Sequence, residues 1–171
     1  MRILGPSPVG VTLATVKALL PALGATPRFV NEMAGPLWTA AEKYAVYPPG
    51  VLAQAFKETK GGAYGGQVKP EHCNTAGLKL RYPGLYPETS GDQPQAHAQF
   101  PSWEVGAEAH VQHLRAYTGC LVTGHLNVDP RWVFVVGKYR IETFEELGGK
   151  WAPSPSYGTE LVAIANQLIG A

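Results

Sequence analysis

The chain has 171 residues, 45% of them apolar and 16% charged, with a net charge of +1. That balance predicts one globular domain with a sizeable core and excludes a disordered chain. It also excludes the basic surface that binds nucleic acid by neutralising phosphates, and no apolar run of about 18 residues predicts a membrane span.

Residues 1–10 form an extended leader with two prolines. Pro and Gly interrupt it before a signal-peptide core could form, so the sequence supplies no export route of its own. Over Thr12–Leu23, the apolar residues Val16, Leu19, Leu20 and Leu23 fall at helical spacing. Phe29–Val46 is a longer helical region punctuated at Gly35-Pro36, with Leu37, Ala41, Tyr44 and Ala45 as one buried stripe.

The next helix, Pro49–Thr59, is the most informative. Val51, Leu52, Ala55, Phe56 and Thr59 share one face. Pro48-Pro49 suits its start, where a missing N–H does no harm, and Gly61-Gly62 suits its stop. Glu58 then lies in the last turn, one step from the apolar face. The negative end of the helix disfavours a second negative charge there, which favours the protonated carboxyl. A carboxylic acid that keeps its proton near neutral pH is what glycosidic cleavage needs.

Residues 60–101 have no sustained period and are rich in Gly, Pro, Tyr and Thr. They predict a small lobe with short strands, because so long a structureless loop is unusual inside a domain. Leu78–Tyr82 alternates as a strand and ends at the turn signal Pro83-Gly84. Ser102–Tyr117 is the clearest helix, capped by Ser102 and striped by Trp103, Ala107, His110, Val111, Leu114 and Tyr117. The ordinary role of its His110 and His113 is packing or surface. A capping box at Thr143–Glu146 opens a short helix that Gly148-Gly149 closes. A proline-rich loop follows at Trp151–Tyr157, and then a helix striped by Leu161, Ile164, Ala165 and Leu168.

Cys73 and Cys120 are expected as free thiols. The nearby His72 and His125 lack the tight repeated spacing of a zinc site, so neither metal nor cofactor is expected. The fold class is therefore α+β, mainly α. One domain spans 1–171, with a leader and first helix over 1–28 and a lobe inserted at 60–101. A cleft between body and lobe would hold an extended polymer, with Glu58 at its edge.

The order of motifs resembles a known family. Lys57-Glu58-Thr59 is followed by Tyr64-Gly65-Gly66 and by Asn74…Gly77-Leu78-Lys79. Then come Phe100-Pro101-Ser102-Trp103-Glu104, Asp129-Pro130-Arg131 and Gly148-Gly149-Lys150-Trp151-Ala152-Pro153-Ser154. From about Phe29 onward the chain resembles the glucosaminidase-type peptidoglycan hydrolases of glycoside hydrolase family 73, found in autolysins and phage lysins.

The resemblance implies a lysozyme-like fold and endo-cleavage of the β-1,4 bond after N-acetylglucosamine in peptidoglycan. Glu58 matches the family's general acid, and Asn74 matches a turn that shapes the cleft floor. Trp151 falls where relatives often carry a tyrosine, so a hydroxyl at that position is replaced by an indole N–H. Tyr157 is the candidate substitute. The second carboxylate is open among Glu88, Asp92 and Glu71, or is replaced by the substrate's own N-acetyl group. Tyr64, Tyr82 and Tyr86 are candidate sugar contacts through their aromatic faces. A monomer acting at the bacterial cell wall is expected, as a phage lysin or a domain of a longer chain. The alternative readings are a muramidase or lytic transglycosylase on the same scaffold, or a non-catalytic glycan-binding module of a phage tail or spore coat.

Overall fold

A computed structural model describes residues 1–80, 96–120 and 126–171. The architecture is mainly helical: α1 Leu13–Leu19, α2 Ala34–Lys43, α3 Pro48–Thr59, α4 Trp103–Tyr117 and α5 Tyr157–Ile169. Among the described residues no strand is longer than an isolated bridge. The predicted strand at Leu78–Tyr82 amounts to one antiparallel bridge, Lys79 to His97, flanked by Leu80 N–H to Ala96 O and Ala98 N–H to Leu78 O. Arg81 and Tyr82 lie outside the described residues.

α3 is the axis of the fold. Every residue from Pro48 to Ala55 is buried, so this helix is enclosed on all sides and not merely amphipathic. α2 and α5 pack against it, and α4 packs against α2. The helix begins at Pro48, as its two prolines predict. It ends one residue before the glycines, at Lys60 in the left-handed region with φ 51°. Thr59 locks this end: its Oγ1 donates to Ala55 O at 2.7 Å and accepts from Gly62 N–H at 3.0 Å. Glu58 therefore rides on a fixed last turn.

Other expectations hold in outline and shift in detail. The helix at Thr12 is α-helical to Leu19 and tightens to 3-10 over Leu20–Leu23. Leu19, placed on its buried stripe, is instead 37% exposed. The region around Gly35-Pro36 does not break. A π-turn over Phe29–Met33 precedes α2, and Ala34 N–H bonds Phe29 O. Pro36 has no N–H to give Glu32, and the wider turn absorbs that gap. Ala45 falls off the predicted stripe because its φ of 52° turns the chain outward. The leader is built into the fold: Ile3 is fully buried, with Ile3 N–H to Glu142 O and Tyr47 N–H to Ile3 O both at 2.8 Å.

Three helical glycines let elements touch. A Cβ at Gly50 would meet the Phe144 ring at 2.3 Å, and one at Gly158 would meet Glu145 O and Phe144 O at 2.3 Å. At Gly106 on α4 a Cβ would lie 1.7 Å from Cys73 O. That contact seats the Asn74 loop on α4. Gly106→Ala should lower stability by about 1–3 kcal/mol in urea titration, the usual cost of overpacking. Gly35→Ala, with nothing within 4 Å of its Cβ, should raise it by about 0.5–1 kcal/mol.

Candidate active site

Glu58 sits at the C-terminal end of α3, partly buried. Its Oε1 accepts two hydrogen bonds. The Trp151 indole N–H donates at 3.0 Å, and the Tyr157 hydroxyl donates a short one. Its Oε2 is the oxygen nearest Gly77, 3.9 Å from where a Cβ there would stand. A glycine at that point leaves the second oxygen unscreened by any side chain of residue 77.

Each neighbour is placed by a separate element. Tyr157 opens α5 and is 4% exposed. Trp151 lies in the turn closed by a backbone bridge between Gly148 and Ala152, and its backbone N–H bonds Leu147 O at 2.9 Å. Its indole packs against His113 at 5.1 Å, Tyr117 at 5.3 Å and His110 at 5.9 Å between ring centroids. His113 is itself fixed, its Nδ1 2.8 Å from Asp129 Oδ2, with both side chains almost fully buried. The wall behind Trp151 is therefore rigid.

Burial pushes the Glu58 carboxyl above its ordinary value, because the charged form loses water. The hydrogen bonds from Tyr157 and Trp151, and then the charge of Lys57, pull the other way without cancelling it. Burial thus leads, where the sequence pointed to the helix end. Lys57 is paired with Glu160 of α5, which fixes its position. Burial and the facing carboxylate push the Tyr157 phenol far up, so its proton stays on.

The other candidates divide. Trp151 and Tyr157, named separately from sequence, meet on one oxygen of Glu58. Asn74 is fully buried and holds its own loop: Nδ2 donates to Leu78 O and Ala98 O, and Oδ1 accepts from Leu78 N–H at 3.0 Å. That is the turn role, and it leaves the side chain no surface for a ligand.

Tyr64 is corrected. It is 5% exposed, turned inward by a φ of 59°, packed by Trp103, and its hydroxyl donates to Asn74 O. A sugar ring needs an open aromatic face, and Tyr64 has none. Glu71 is exposed on the 3-10 turn Pro70–His72, outside the Glu58 network. Tyr82, Tyr86, Glu88 and Asp92 lie outside the described residues.

Sequence reasoning gave no site role to Gln54, Thr75 or His110, all buried behind Tyr157. One signal was available: Gln54 and Glu58 are four apart on a helix and so share a face. A concavity of about 410 Å³ between α2 and α4, lined by Pro36, Thr39, Lys43, Glu104 and Glu108, contains none of the Glu58 set.

Residues 35–169 match the glucosaminidase family, described as mannosyl-glycoprotein endo-beta-N-acetylglucosaminidase. The chain belongs to this family. It is a glycoside hydrolase that acts on peptidoglycan, and so on the bacterial cell wall. No match was found among curated proteins or among solved structures.

Two outcomes follow for this glucosaminidase. The folded-state pKa of Glu58 lies above the ordinary 4.5, so its contribution to stability is complete below that value and is lost as pH rises through the raised one. Glu58→Gln removes that loss. Tm at pH 7 should rise in a thermal melt, and the gain over wild type should shrink as the pH is lowered. Tyr157→Phe removes a bond that favours the carboxylate. With Glu58 as the acid, as proposed below, the alkaline limb of the pH–rate profile should move to higher pH, and the optimal rate should fall about tenfold.

Proposed function

We propose that the enzyme is an endo-acting N-acetylglucosaminidase with Glu58 as its general acid, on a lysozyme-like helical body whose cleft is completed by the lobe at 60–101. One observation carries the reading. Among the described carboxyl groups, Glu58 is the one held partly buried between an indole N–H and a phenol O–H, with its pKa raised by burial.

The geometry around Oε1 supports this chemistry. An sp² carboxyl oxygen has two lone pairs. Tyr157 and Trp151 occupy both on Oε1, so the transferable proton resides on Oε2, beside Gly77. Oε2 gives that proton to the glycosidic oxygen as the bond from the anomeric carbon breaks. The negative charge left on Glu58 is met by two donors already in place, which need no rearrangement as it develops. The cationic sugar is stabilised by the substrate's acetamido oxygen, or by the carboxylate of Glu88 or Asp92. Water then adds at the anomeric carbon, and Glu58 takes its proton as base.

Mass analysis of purified peptidoglycan digested by wild type and Glu58→Gln tests this. Wild type should release fragments with reducing N-acetylglucosamine ends, and Glu58→Gln should lose at least about 100-fold in rate, within the range of an essential acid. Reducing N-acetylmuramic acid ends would make the enzyme a muramidase. Anhydro-muramic ends would make it a transglycosylase, which needs no second carboxylate. Undiminished cleavage by Glu58→Gln would remove Glu58 from the chemistry.

A further inference from the structure

Behind Tyr157 lies a chain of buried polar groups that proton donation itself does not use. Thr75, His110 and Gln54 are 1%, 0% and 0% exposed. Thr75 Oγ1 is 3.1 Å from His110 Nδ1, and His110 Nε2 is 3.0 Å from Gln54 Oε1. Gln54 Nε2 is 3.1 Å from the Tyr157 hydroxyl oxygen, and that hydroxyl meets Glu58. The chain joins the Asn74 loop, α4, α3 and α5. Buried polar groups are costly unless bonded, and here every one is bonded to the next.

The chain runs in one sense. The Gln54 carbonyl oxygen facing Nε2 can only accept, so in the neutral ring Nε2 carries the hydrogen and Nδ1 accepts from the Thr75 hydroxyl. Nε2–H donates to the Gln54 carbonyl, which turns the amide N–H₂ toward Tyr157. The phenol oxygen then accepts from Gln54, and its own proton must point to Glu58. Reversing the chain would turn the phenol proton toward Gln54 and draw the Glu58 proton onto Oε1 to face the phenol oxygen, leaving none on Oε2. The neutral ring is secure: burial, with His113 nearby, holds the His110 pKa down to about 3. The other titratable groups around the chain are Lys57 on α3 and Tyr117 on α4.

We propose that His110 is a positioning residue for glycoside cleavage: through Gln54 it holds the Tyr157 hydroxyl as a fixed donor to Oε1 of Glu58, and so confines the transferable proton to Oε2. The proposal rests on Glu58 being the acid. It goes further in assigning a role to a side chain that touches neither substrate nor Glu58.

The test uses the whole chain and purified peptidoglycan, with initial rates at limiting and saturating substrate across pH. His110→Phe and Gln54→Met each cut the relay, and His110→Gln keeps an N–H near the position of Nε2. Each is made in wild type and in Tyr157→Phe.

Cutting the relay should lower the saturating rate by about 3–10-fold, the range of one hydrogen bond. Half-saturation should not change, and the alkaline limb should rise as in Tyr157→Phe. His110→Gln should recover most of the loss. In Tyr157→Phe the same substitutions should have no further effect, since the hydroxyl they position is gone. Equal losses with and without that hydroxyl would make His110 a packing residue and overturn the proposal. So would a His110→Gln enzyme no better than His110→Phe.

Should His110→Phe not fold, Gln54→Met in the two backgrounds decides the same question. It supports the relay if the rate falls only when Tyr157 keeps its hydroxyl, and overturns it otherwise. Glu58→Gln run alongside separates the two failures. Retained cleavage there sinks the acid, whereas an inactive Glu58→Gln beside unaffected relay variants sinks only His110.

Discussion

A carboxyl group half withdrawn from water, with one oxygen fully engaged and the other free to react, is the constraint around which the molecule is arranged. α3 is buried along most of its length, so its last turn carries Glu58 out of the interior and not along a surface. α5 brings a phenol to the same oxygen, and the segment after Gly148 brings an indole. α4 stiffens both from behind, through His113 at Trp151 and His110 at Gln54. Trp151 and Tyr157 therefore meet Glu58, 93 and 99 residues earlier in the chain, at a single oxygen, with α4 packed behind them.

Two opposing effects meet at Glu58, and their balance matters more than either. Burial alone would hold the carboxyl protonated and make it a poor donor. Hydrogen bonds alone would strip its proton in mildly acidic solution. Burial dominates here, and the donors are stronger partners for the anion than for the acid. In the role proposed for Glu58, the same balance favours the acid before proton transfer and steadies the anion after it.

The helices were legible because their stripes follow the 3.6-residue period; α3, α4 and α5 lie within a residue or two of where the pattern places them. The place of Glu58 at a helix end was legible from the apolar stripe and the two glycines, whereas the role proposed for it came from motif order. Trp151 and Tyr157 were legible only through motif order, since nothing local shows that their side chains meet. Gln54 and His110 were opaque for a physical reason. A buried polar residue looks like a defect in an apolar pattern until its partner is known, and the partners lie 56 and 103 positions away. Tyr64 misled for the opposite reason: a glycine-rich turn suggests exposure, but its positive φ folds the ring inward. The lobe carboxylates Glu88 and Asp92 lie outside the described residues.

The stitched leader has a practical corollary. The shared family portion spans 35–169, yet Ile3 fills the interior beside Val46, and its backbone bridges residues 47 and 142. A fragment trimmed to the family's borders would lose that plug along with α1, baring apolar surface beside the start of α3. Truncation for crystallography or fusion should therefore spare the first residues.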